Sequence, residues 1–305
     1  MGGVGDREGG RGGSSGLRRL LPRRLKDAIA AHVRQVARQG KGDAPAFQDL
    51  AYLPFANGAD SYRLPPLAPP PAPEGELPQP PEHLTNGPHS AQQGAEIAAN
   101  MLRILAKGGF ELGDGHRILD FGCRDGRVIR HLRHLADRCE IWGCDISAEH
   151  VAWCRRHLSP PFHFFTNTKV PHLPFRDGSF DFIYCGSVFT HIDDLAVAWL
   201  LELRRLLAPG GRLYVTIHDR HTLSLFEEPQ AAAHPVIAYM RSHPDYPDPD
   251  GEFGMVTLGR DSLSQVFYDR AYFVRMAEPM FELLSQNPEA YLLQTALLFQ
   301  PRGSR

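Results

Sequence analysis

No cysteine pair in this 305-residue chain has CxxC spacing, and its 5 cysteines are an odd number. That argues against a disulfide framework or a zinc ribbon and suits a reducing compartment. No apolar run is long enough to span a bilayer. The first residues lack the apolar stretch of a secretory signal, and Asp6 stands where a myristoylation signal requires Ser or Thr. The expected location is therefore the cytoplasm. Excess charge of one sign is also absent. A formal net charge of -2 sets up no global field to recruit nucleic acid or acidic lipid. Basic stripes interleaved with aromatics are missing from residues 91–303, so a nucleic-acid platform is not expected there. There is no internal repeat. What remains is ordinary: 42% hydrophobic and 22% charged residues, enough to bury a core unaided.

Composition divides the chain in three. Residues 1–45 open with a Gly-rich polar run expected to be disordered, followed over 17–38 by a basic amphipathic helix. Leu17, Leu20, Leu21, Leu25, Ile29, Val33 and Val36 form its apolar side, and weak membrane-surface or protein contact is one reading of it. Residues 46–90 are a linker, crowded with proline over 64–88, which stays extended and cannot enter a central sheet. Residues 91–303 form the folded domain, where strand and helix patterns alternate.

Strands are expected at Arg117–Phe121, Glu140–Cys144, Phe162–Phe165, Phe180–Cys185 and Arg212–Ile217. Helices carry Ile97 to Leu105, Val128 to Leu135, Val151 to Leu158, and Leu195 to Leu207, the last stopping at Pro209-Gly210-Gly211. Such alternation predicts a Rossmann-like, doubly wound α/β fold with a mostly parallel sheet. In the tail, residues 261–276 read as helical. Phe281–Ser285 and Thr295–Phe299 read as strands around a turn at Asn287-Pro288. An antiparallel hairpin would therefore finish a seven-stranded sheet. Residues 222–259 are a long insertion, expected to act as a substrate lid. Tyr239, Tyr246 and Phe253 are candidates for its apolar wall.

Chemistry concentrates where strands end. The turn Asp120-Phe121-Gly122-Cys123-Arg124-Asp125-Gly126 lies between the first strand and the next helix, the edge where open sheets bind ligands. Its glycines admit a ligand close to the backbone. Free amides at the helix start suit a carboxylate or phosphate. Asp120 would repel a pyrophosphate but suits an ammonium. Asp145 ends the second strand, where a carboxylate can accept ribose hydroxyls. Ile146 can pack on an adenine face, and Asn167 can read an adenine edge. Cys185-Gly186-Ser187 follow the fourth strand, where the reacting group of a bound cofactor is expected.

From Asp120 to Asp219 the chain resembles the class I S-adenosylmethionine-dependent methyltransferases of the type 11/25 grouping. DFGCRDG, CDIS, LPF with SFDFI, and LLAPGGRLYV stand in that family's order and spacing. The resemblance, extended to the tail hairpin, covers about 91–301. It implies S-adenosylmethionine as cofactor, with Asp120 and Gly122 facing its methionine and Gly126 admitting the helix. By the same token Asp145 holds the ribose, Ile146 and Asn167 the adenine, and Cys185, Gly186 and Ser187 the sulfonium side. Cys123 and Arg124 belong to the same loop. Arg124 departs from the family's small residue. Its side chain has three readings: pointing to solvent, reaching the cofactor carboxylate, or crowding the pocket.

Methyl transfer needs alignment above all, and a base only when the acceptor must lose a proton. His191, His218 and Asp219 are the candidates, each with an ordinary structural alternative. No metal is expected. His131 with His134, and His218 with His221, have ligand spacing but lack a third partner. The expected acceptor is a small molecule, a sugar or a lipid-linked intermediate. A non-catalytic interaction protein with the same fold is the alternative. An NAD-dependent oxidoreductase would need a GxGxxG turn, which is missing here.

Overall fold

The strands are short apolar runs, and their successive side chains divide between two faces of one sheet. Ile118, Ile141, Phe182, Tyr184, Tyr214 and Leu298 pack with Met101 and Ile104 on one side. Leu119, Phe121, Ile183, Val215 and Leu297 pack with Trp199, Leu203 and Phe273 on the other. A sheet apolar on both faces must be covered on both, which is the parallel α/β arrangement. The computed structural model describes residues 75–85, 90–259 and 264–303, all within one unit, Leu50–Arg305. The expected basic helix over 17–38 lies outside the described residues.

Helix α1 (Ser90–Lys107) leads into β1 (Arg117–Phe121), β2 (Glu140–Asp145), α2 (Ala148–His157), β3 (His163–Thr166), β4 (Phe180–Cys185), α3 (Ala196–Leu206) and β5 (Leu207–Ile217). Then come α4 (Arg220–Glu227), α5 (Pro229–Ala232), α6 (Pro235–Arg241), β6 (Met255–Leu258), β7 (Gln265–Tyr268), α7 (Arg270–Ala277), β8 (Phe281–Tyr291) and β9 (Gln294–Pro301). The seven-stranded sheet has the order β3-β2-β1-β4-β5-β9-β8. β1 to β5 are parallel, β9 is antiparallel to β5, and β8 completes the hairpin. The predicted fold class is the observed one. Strand order reverses between β1 and β4, which opens a crevice at their carboxyl ends.

Three local expectations need correction. Residues 261–276 are not one helix: Gln265–Tyr268 is a strand paired antiparallel with Met255–Leu258, and the helix begins only after the Asp269 cap. The β-branched and aromatic side chains of Val266, Phe267 and Tyr268 are buried in that pairing. The hairpin does not turn at Asn287-Pro288. Glu289 at φ 55 makes a bulge there, and the chain reverses between Tyr291 and Gln294, with Leu292 at φ 54. The segment after β1, expected to be an α-helix, is a 3-10 helix over Ile129–Leu135.

That tighter helix has a visible purpose. Residues three apart eclipse one another in it, so Arg130 and Arg133 share a face. Arg130 donates to Gln79 Oε1 (3.0 Å), to the Leu77 carbonyl (2.8 Å) and to the Pro78 carbonyl, and Arg133 donates to the Gly75 carbonyl (2.5 Å). The end of the proline-rich stretch is thus tied to the domain. The 222–259 insertion is built from α4, α5, α6 and β6, and has its own core of Leu223, Phe226, Ile237, Met240 and Leu258 around Phe267 of β7. No helix among the described residues is long and apolar enough to cross a membrane.

Candidate cofactor site

The loop after β1 owes its shape to left-handed residues. Gly122 has φ 90 and Gly126 φ 75. A Cβ on Gly122 would lie 2.3 Å from Val188 Cγ2, and one on Gly126 would lie 2.4 Å from Leu158 Cδ1. Gly126→Ala is therefore expected to cost about 2 kcal/mol of stability, from the left-handed penalty and overpacking together. Urea unfolding of the variant measures it. Between them Arg124 has φ 47, a conformation that costs a residue with a side chain about 1 kcal/mol. The Arg124 N–H donates to Asp145 Oδ2 at 2.9 Å, and the Ser147 N–H donates to Asp145 Oδ1 at 2.8 Å. Asp145 thus ties the loop after β1 to the start of α2, and each oxygen keeps a lone pair for a further donor.

Beneath the loop lie under-satisfied polar atoms. Thr166 Oγ1 and Asn167 Oδ1 are buried and have no hydrogen-bond partner among the described residues, and Asp120 Oδ2 has only the neighbouring Tyr184 hydroxyl, outside good hydrogen-bond geometry. Burial pushes the Asp120 pKa up to about 8. An orphaned buried acceptor costs about 1–3 kcal/mol, so such groups mark a place for a ligand that brings donors. Ile146, beside Asp145, is an apolar side chain left 59% exposed.

The strand-four side is closed by a ring of hydrogen bonds. Ser187, at φ 57, donates its N–H to Thr216 Oγ1 (2.7 Å), and Thr216 donates to Gln294 Oε1 (2.6 Å). Gln294 returns a donor to Ser187 Oγ at 2.8 Å. Gly186 is a close-approach glycine: a Cβ there would lie 2.4 Å from the Tyr291 ring. Tyr291 in turn accepts from Arg127 at 2.7 Å. Cys185 is buried, and burial pushes its thiol pKa up, as it does for Cys123. Sequence reasoning missed Thr216, Gln294, Tyr291 and Arg127. Their roles depend on contacts up to 164 residues apart, and no local pattern signals them.

The three candidate bases are in different states. His191 sits on a short 3-10 turn after β4, with part of its ring exposed. Its Nδ1–H donates to the Ser264 carbonyl at 2.8 Å, which leaves Nε2 as the acceptor nitrogen. Desolvation by surrounding groups lowers its pKa, and Arg124 adds to the lowering. His218 is buried, stacked on Phe267 at 5.2 Å, with its pKa pushed down to about 3 by burial. Asp219 is wholly buried and already engaged. It caps α4 by accepting from the Thr222 N–H (3.2 Å) and pairs with Arg270 Nε at 2.7 Å. Gln265 interacts with both histidines, a link hidden by the helical reading of that segment.

The domain-sized comparison agrees with the crevice. Residues 119–215 match the family model described as a methyltransferase domain. Over these residues the chain is similar to methyltransferase domains. That match implies S-adenosylmethionine as cofactor, and the buried acceptors Asp120 and Asn167 fit a ligand carrying an ammonium and an adenine amino group. Among curated relatives, a tRNA U34 carboxymethyltransferase of Campylobacter curvus is 30% identical over 104 residues, 33% of this chain and 34% of its own length. A fatty-acid O-methyltransferase of Mycolicibacterium smegmatis is 27% identical over 121 residues, 39% and 44% of the two chains. A demethylmenaquinone methyltransferase of Thermus thermophilus is 36% identical over 101 residues, 32% and 46% of the two chains. The chain therefore spans less than half the length of these relatives. Among the described residues, no group of three or more His, Cys, Asp or Glu is placed to hold a metal ion.

Proposed function

We propose that this chain transfers a methyl group from S-adenosylmethionine to a small-molecule acceptor, in the range of sugars and lipid-linked intermediates. The observation that supports it is the set of under-satisfied buried acceptors, Asp120 and Asn167, flanking Asp145 along the carboxyl ends of β1, β2 and β3. When bound, the cofactor supplies an electrophilic methyl on sulfur. In this reading Asp120 takes the cofactor's amino group, Asp145 the ribose, and Ile146 with Asn167 the adenine. The Gly122 and Gly126 turns let the backbone approach, and Cys185 to Ser187 border the reacting end. The relatives' named acceptors range from tRNA to a fatty acid and a quinone, so a small-molecule acceptor is argued from the chain itself. Its net charge of -2 does not favour a polyanion.

His191 is the base in this proposal, needed when the acceptor carries a proton. Its Nε2 is unprotonated at neutral pH and its ring is at the rim. His218, with a pKa near 3, is a poor base at pH 7, and Asp219 is structural. The 222–259 insertion is proposed as the acceptor-side wall. It pairs through β6 with β7, whose Gln265 reaches His191. Tyr246 packs on Phe267 and Phe253 lies under Arg220, while Tyr239 stays exposed. We place the reaction in the cytoplasm.

Calorimetric titration with S-adenosylmethionine, S-adenosylhomocysteine and NAD tests the reading. Binding of the first two and not of NAD is expected, followed by methyl-donor consumption when metabolite extracts are added. Binding of NAD alone would replace the methyltransferase reading with an oxidoreductase. Cofactor binding without transfer to any extract would favour a non-catalytic protein.

A further inference from the structure

Away from the cofactor crevice, a cavity of about 510 Å³ lies between the start of α4, the first turns of α7 and the edge strand β8. None of its walls comes from the loops after β1, β2, β3 or β4. The guanidiniums of Arg220, Arg270 and Arg275 line it against the carboxylates of Asp219 and Asp269, which leaves one formal positive charge in excess. Two of the guanidiniums are clamped. Arg270 donates from Nε to Asp219 at 2.7 Å and from Nη1 to Gln286 Oε1 at 3.1 Å. Arg220 donates from Nε to Asp269 at 3.4 Å and from Nη1 to the Pro249 carbonyl at 3.0 Å, and it lies 4.8 Å from the centre of the Phe253 ring. Each keeps Nη2 without a partner among the described residues. Arg275 is exposed and has no hydrogen bond or ion pair among the described residues. The carboxylates, by contrast, are occupied. Beyond its arginine, Asp219 accepts from the Thr222 N–H at 3.2 Å and Asp269 from the Tyr272 N–H at 2.9 Å. The cavity therefore has donors and positive charge to spare, and lacks an acceptor. Ala271 and Val274, one helical turn apart on α7, give it an apolar wall. A volume of this order holds a small organic molecule, not only a bare ion.

We propose that this cavity is a second small-molecule site, for an organic monocarboxylate whose apolar body lies on Ala271 and Val274. Guanidinium N–H groups match a carboxylate in geometry as well as charge. A doubly charged phosphate would exceed the single surplus charge and face Asp219 and Asp269. An occupant would bridge α4 to α7, so it also adds stability as it binds. The inference does not depend on the methyltransferase reading.

The test is calorimetric titration of the full chain with benzoate, with its neutral analogue benzamide and with phenyl phosphate, each with and without S-adenosylhomocysteine. Wild type is expected to bind benzoate about tenfold more tightly than benzamide, the worth of one charge-assisted hydrogen bond. Benzoate should also bind more tightly than phenyl phosphate, and S-adenosylhomocysteine should not displace it. Arg275→Gln removes a guanidinium that holds nothing else, so it should fold as wild type, lose benzoate affinity several-fold and leave benzamide unchanged. Ala271→Trp fills the cavity from an exposed helix position without altering charge, and should abolish binding of both. Thermal melts of the two variants check their folding. Equal binding of benzoate and benzamide to wild type would overturn the proposal, as would no binding of benzoate. Benzoate affinity unchanged in a folded Arg275→Gln or Ala271→Trp would place the ligand elsewhere and overturn it too. Displacement of benzoate by S-adenosylhomocysteine would put it in the cofactor crevice, and tighter binding of phenyl phosphate would replace the carboxylate class; either result overturns the site as proposed. Failure to bind S-adenosylhomocysteine would count against the methyltransferase reading alone.

Discussion

Asp120→Asn is expected to weaken S-adenosylmethionine binding about a hundredfold while leaving the fold intact. A hydrogen bond to a charged group contributes about 1.5–3 kcal/mol, and loss of the carboxylate removes both the charge and one acceptor from the cofactor's amino group. The same change has the opposite sense for stability. Burial raises the Asp120 pKa from 3.8 to about 8, so the native state holds its proton more tightly than the unfolded chain. Wild type must therefore lose stability as pH rises from about 4 to about 8. Asn carries no such penalty, and the variant should melt higher than wild type at pH 8. Binding and stability moving in opposite directions is the signature of a carboxylate kept for a ligand. The pKa makes a further demand. At pH 7 the free protein holds this proton, and pairing with an ammonium expels it. Calorimetry in buffers of different ionisation enthalpy should read close to one proton released per cofactor in wild type and none in Asp120→Asn. A variant that binds as tightly as wild type would dismiss Asp120 from the site.

Asp219→Ala is expected to destabilise the domain by about 4 kcal/mol, with the melting temperature falling about 10 °C. The carboxylate is 0% exposed, caps α4 and pairs with Arg270, whose guanidinium is itself only 31% exposed. Its removal leaves Arg270 without that partner and the Thr222 amide uncapped. Asp219→Asn keeps an oxygen for the cap and should cost less. Thermal melts of the two variants measure this. Asp219→Ala that folds as well as wild type yet has lost turnover would restore Asp219 as a base.

Asp219 also shows where sequence stops being informative. It follows β5, at the sheet edge where a base is wanted, and looks no different from Asp145 after β2. Only the fold reveals Arg270, 51 residues later in the chain, taking up its charge. The loop after β1 was legible because its shape restricts residue type locally. Left-handed turns select glycine, so Gly122 and Gly126 stand out, and the acids proposed to hold the ligand, Asp120 and Asp145, stand at the strand ends beside them. The five parallel strands were legible because burial on both faces gives short apolar runs. β7 was not. Gln265–Tyr268 is a strand because Met255–Leu258 lies beside it, a non-local cause that no periodicity carries. Asn287-Pro288 sends a strong turn signal, yet the pairing of Tyr291 with Gln294 places the reversal later and leaves the Tyr291 ring packed on Gly186. The 3-10 form of Ile129–Leu135 likewise accompanies carbonyls at residues 75–78, more than 50 positions earlier.

The central claim concerns one crevice, and a crystal structure of the chain with S-adenosylhomocysteine addresses it most directly. The predicted result is a nucleoside thioether at the β1–β4 switch point, its ribose on Asp145, its adenine between Ile146 and Asn167, and its amino group on Asp120. Density for the ligand elsewhere, with these four residues untouched, would contradict the account.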